Sequence, residues 1–86
     1  MANQTKIMLQ AINPKNQSKV NKAVSYLTKH NKLNDQRDQV AGEHGEDSRL
    51  WAVVNRQCAR FFDKFEEALE ELPKYEQKVI LNSNLY

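Results

Sequence analysis

Between Ser48 and Pro73 the apolar residues recur at alternating spacings of three and four: Trp51, Val54, Cys58, Phe61, Phe65, Ala68, Leu72. No other feature constrains the fold as strongly. At 100° per residue these positions, with Leu50, Phe62 and Leu69, share an arc of about 120° that no polar residue interrupts. Spacing of this kind over some three heptads predicts one long amphipathic helix near residues 49–72. Asp47 or Ser48 supplies an N-cap and Pro73 a stop.

Upstream, Asn13-Pro14 is a start signal, because Asn caps and Pro is at home in the first helical turn. The helix it opens is expected to run to about His30 and to end at Asn31. Val20, Ala23, Val24 and Leu27 form its apolar stripe, and Lys15, Lys19, Lys22, Tyr26 and Lys29 form a second stripe at spacings of four and three. A short second helix is expected from Asn34 to Ala41, anchored by Leu33 and Val40 and stopped by Gly42. A loop then follows over 42–47. After Pro73, Tyr75, Val79 and Ile80 suggest a last short helix, with Asn82–Tyr86 fraying. The expected fold is a single small all-α domain over residues 1–86, with three to four helices. The structural alternative is a two-stranded pairing of residues 6–12 with 78–82, since short apolar runs fit either period.

Several chemistries find no foothold in this sequence. The longest apolar run, Leu50–Val54, is far short of the roughly 20 residues of a membrane span. Cys58 is the only cysteine, so no intramolecular disulfide exists. A single thiol in an apolar stripe fits a reducing, cytoplasmic setting. His30, His44 and Cys58 have no metal-ligand spacing, and only two glycines are present for any phosphate-binding loop. Arg56 and Arg60 flank Cys58 in sequence but point away from its face, so an inert thiol is expected rather than a nucleophile. The reading is therefore non-enzymatic, with no metal and no cofactor.

Charge is unevenly placed. Residues 1–41 carry seven Lys or Arg against two Asp, a net of +5; residues 42–86 carry six against nine acids, a net of −3. Within the long helix, Arg49, Arg56 and Arg60 sit at the N-terminal half while Glu66, Glu67, Glu70 and Glu71 crowd the C-terminal end, both opposed by the helix dipole.

The apolar arc holds one Trp, three Phe and three Leu, more than Val20, Ala23, Val24 and Leu27 can cover; Ile7, Leu9, Ile12, Val79 and Ile80 could cover part of the remainder, so the arc is expected to be part core and part interface. Leaving such residues in water forgoes roughly 1.5–3 kcal/mol for each large side chain. The functional expectation is thus a small regulatory or adaptor-like interaction module, a homodimer or a binder of another protein. Its interface would be Trp51, Val54, Cys58, Phe61, Phe62, Phe65, Leu69 and Leu72. An antiparallel pair would set Phe61 against Phe65, with Arg60 near Glu66 and Arg56 near Glu70 of the second copy. The alternative is a nucleic-acid-binding accessory protein. The Lys15–Lys29 stripe spans roughly 20 Å of helix and could follow a line of phosphates, with Tyr26 stacking on a base.

Overall fold

The computed structural model describes residues 9–86. A single 3-10 turn at Pro14–Asn16 leads into α1 (Gln17–His44), followed by α2 (Arg49–Glu70) and α3 (Lys74–Leu81). The fold is all-α, and no strand occurs among the described residues.

The first turn starts as its sequence dictates. Asn13 is extended at φ −102°, its side chain accepts the Lys15 N–H at 3.0 Å, and Pro14 occupies the position where its missing N–H costs nothing. From Gln17 the helix continues for 28 residues. Here the structure corrects the sequence reading. Asn31 does not end the helix, and the separate helix over 34–41 is the continuation of α1. Asn31 instead lies inside α1 and donates through Nδ2 to the Leu85 carbonyl at 2.6 Å. Asn is only a mild helix disfavourer, and no Gly or Pro occurs between Pro14 and Gly42. Once α2 packs alongside, tertiary contacts outweigh a few tenths of a kcal/mol of propensity.

The stop comes at Gly45, where φ is +86° and ψ is 157°, a conformation that glycine alone adopts cheaply. Its N–H donates to the Ala41 carbonyl at 3.0 Å. Three residues later Ser48 opens α2: its hydroxyl accepts the Trp51 N–H at 3.1 Å and donates to the Gly45 carbonyl at 2.9 Å. The turn is so short that α1 and α2 must lie antiparallel, side by side. Cross-helix contacts confirm the register: Lys22 with Glu71, His30 with Cys58, and Arg37 with Asn55.

Residues 78–81 belong to α3, so the two-stranded pairing with 6–12 is not formed at that end; residues 6–8 lie outside the described residues. The reason is the inward face of α3, where Glu76 and Ile80 stand one turn apart and are both buried. The tail does not fray as expected. Leu85 is half-buried against the core, and Tyr86 lies 6.1 Å from Phe65, centroid to centroid.

The core sits at the open end of the hairpin. Val20, Ala23, Val24 and Leu27 of α1 meet Phe65 and Ala68 of α2, and Leu72, Ile80 and Ala11 close the cluster. The α1 stripe is the one the sequence predicts. Toward the Gly45 turn the facing residues change character. Arg37 donates to the Asn55 side chain at 2.8 Å and also to that of Asn34, where the base of the hairpin has Val24 and Leu27. The molecule is thus an apolar base of several segments carrying a two-helix tip, in which buried Val54 sits beside the Arg37–Asn55 hydrogen bond.

Candidate functional site

Helix α2 decides what this chain can offer a partner. Of its predicted seam, Val54, Cys58, Phe65 and Ala68 are buried within the chain, as is Leu72 just beyond the helix. Phe61, Phe62, Leu69 and Trp51 are half-buried. The arc is thus core at its centre, where α1 and the tail cover Phe65 and where His30 of α1 meets Cys58. From the tail, Leu85 packs against the core and the Tyr86 ring lies beside Phe65.

What the hairpin leaves uncovered lies at the N-terminal half of α2. Leu50 is 48 % exposed and Val53 42 % exposed, with Trp51 half-buried beside them. On the outer face, away from α1, Val53, Arg56, Gln57 and Arg60 line a shallow hollow of about 260 Å³. Asp63, Glu66, Glu67 and Glu70 continue the outward side toward the C-terminal end, all exposed. Sequence reasoning found these charges but could not say which side of the helix would remain open.

The basic stripe of α1 is partly engaged by α2. Lys22 pairs with Glu71 at 3.6 Å, both about half exposed. Tyr26 is half-buried, its ring 6.3 Å from that of Phe61. The Lys29 ammonium lies 5.6 Å from the Phe61 centroid, and that of Lys64 lies 5.8 Å from the Tyr26 centroid, both at cation–π distance. Lys15 and Lys19 remain exposed with no ion pair among the described residues. The Lys22–Glu71 contact also offsets part of the charge crowding at the C-terminal end of α2.

Cys58 and His30 meet across the helix pair. The thiol is 1 % exposed and its sulfur is 3.3 Å from His30 Nδ1, which also lies 3.1 Å from the Cys58 carbonyl. The His30 ring stacks obliquely on Phe62 at 4.9 Å. The pair is a satisfied polar contact inside the packing. A thiolate nucleophile wants partial exposure and positive surroundings, and this thiol has neither open access nor a nearby fixed cation. Among the described residues no group of three His, Cys, Asp or Glu side chains converges to hold a metal, and no helix is long and apolar enough to cross a membrane.

One polar centre escaped the sequence reading. Glu76 is fully buried, and its carboxylate accepts the Ile12 N–H at 2.9 Å, the Asn13 N–H at 2.9 Å and Asn16 Nδ2 at 3.0 Å. Burial alone would raise its pKa, but these three donors outweigh it and hold the carboxyl below its usual value. The only hint was its spacing one turn before Ile80 on α3.

Comparison with family models, with curated proteins and with solved structures finds no match for this chain.

Proposed function

We propose that this chain is a small non-enzymatic protein–protein interaction module, regulatory or adaptor-like, that self-associates through α2. The observation supporting the reading is the uneven cover along that helix. Its C-terminal half is sunk in the base, while Leu50 and Val53 stand exposed toward the tip, where Arg37 of α1 bonds to Asn55 of α2. Burying such side chains on association is worth on the order of 1 kcal/mol each, enough for a weak, reversible contact. The test is molar mass in solution from low to high micromolar concentration. A rise from 10.0 kDa toward twice that value supports the reading, and a strict monomer overturns self-association.

A second reading rests on the exposed Lys15 and Lys19, free of ion pairs among the described residues. In it, the basic stripe contacts nucleic-acid backbone. Labelled DNA or RNA titrated at two salt concentrations tests it: affinity that falls steeply with salt, and is lost in Lys19→Glu/Lys22→Glu with helicity intact, supports it. Unchanged affinity in that variant leaves the stripe as a solvated face.

A further inference from the structure

We infer that the outer face of α2 docks antiparallel on the same face of a second copy, pairing its arginine half with the partner's acidic half. This rests on the self-association reading and moves its centre from the exposed Leu50 to the outer side of the same helix, with Val53 at its margin. Because α1 covers the apolar side of α2, a copy approaching this helix meets the side carrying Val53, Arg56 and Arg60, then Asp63 and Glu67.

That side is charge-segregated in a way that does not favour the isolated helix. Arg56 and Arg60 stand one turn apart with like charge, as do Asp63 and Glu67, and each such pair is destabilising. The arginines also lie toward the positive end of the helix dipole and the acids toward the negative end. Among the described residues, none of these four side chains has an ion-pair partner within 4.0 Å. An antiparallel copy sets opposite charge against each of these halves. With the two-fold axis passing between positions 61 and 62, Arg60 faces Asp63 and Arg56 faces Glu67 of the second copy. The two-fold repeats both pairs, as an isologous contact requires. The carboxylates then enter the hollow lined by Val53, Arg56, Gln57 and Arg60. Ala52 and Ala59, exposed on the same side, have short side chains that let the helices approach. A parallel pair would set Arg against Arg and acid against acid.

The test uses two full-length double variants, Arg56→Glu/Arg60→Glu and Asp63→Arg/Glu67→Arg. All four positions are exposed, so helicity by circular dichroism should match wild type. The expected result is wild-type dimerisation that weakens with added salt, and self-association roughly tenfold weaker or worse in each variant alone. An equimolar mixture of the two variants should form a heterodimer, because the all-acidic face meets the all-basic one. If wild type dimerises and both variants dimerise equally well, the docking face is wrong while self-association stands. If the variants lose dimerisation and their mixture stays monomeric, charge pairing through this face is overturned. A monomeric wild type overturns both the inference and the self-association reading.

Discussion

The carboxylate of Glu76 accepts the backbone N–H of Asn13 at 2.9 Å, joining α3 to the start of the helical region across 63 residues of sequence. The same group takes the Ile12 N–H and the Asn16 amide. It thereby satisfies donors ahead of the first turn that no residue of their own segment reaches.

Glu76→Gln keeps the shape but replaces one acceptor oxygen by a donor, which then faces backbone N–H groups. Thermal melts should show Tm lower by about 5–10 °C at neutral pH. The pH dependence has a definite sign. The folded-state pKa lies below the ordinary 4.5, so the contribution of Glu76 is present above that value and is lost as pH falls through the folded pKa. The gap in Tm between wild type and Glu76→Gln should therefore close on acidification below about pH 4. A gap that stays constant down to pH 2.5 would count against the carboxylate as the clasp.

The two glycines should respond to alanine with opposite signs. Neither has an atom within 4 Å of an added Cβ, so only the backbone decides. Gly42 lies within α1, and Gly42→Ala should stabilise by about 0.5–1 kcal/mol. Gly45 sits at φ +86°, and Gly45→Ala should destabilise by about 1–3 kcal/mol. Denaturant midpoints for the two variants measure both, and equal effects would mean α1 does not extend to His44.

Base and tip should differ in sensitivity to truncation. Phe65 is 1 % exposed at the centre of the core, and Phe65→Ala should cost about 3–5 kcal/mol, enough to unfold a chain of this size in large part. Trp51→Ala removes a half-buried side chain near the tip and should cost clearly less, about 1–2 kcal/mol. Comparable losses at both positions would show that the tip is packed as tightly as the base.

Cys58 should be protected by the fold. Its reaction with a thiol reagent should be slower in native buffer than in denaturant by about 100-fold or more, because labelling must await opening of the α1–α2 contact. Mild oxidation should yield little cross-linked dimer. Fast native labelling would place the sulfur outside the helix pair.

Patterning in the chain carried much of this structure. The 3-4 spacing from Trp51 to Leu72 determined α2, its buried stripe and its capping by Ser48. Asn13-Pro14 determined the first turn, and Val20, Ala23, Val24 and Leu27 determined the inward side of α1. These are local signals, in which period and cap chemistry act within a few turns of one another. What lay beyond them was decided by contacts between distant segments. Asn31 resembles a helix stop until the Leu85 carbonyl takes its amide, and α1 then runs on to Gly45. Glu76 reads as a surface acid until the Ile12 and Asn13 N–H groups close over it. The apolar arc of α2 reads as part core and part interface, and only the packing of α1 and the tail decides that its centre is the core part, while Leu50 and Val53 stay exposed beside the charged outer side. Burial is a property of what packs against a residue, and a helical period states which side faces inward without stating what will cover it.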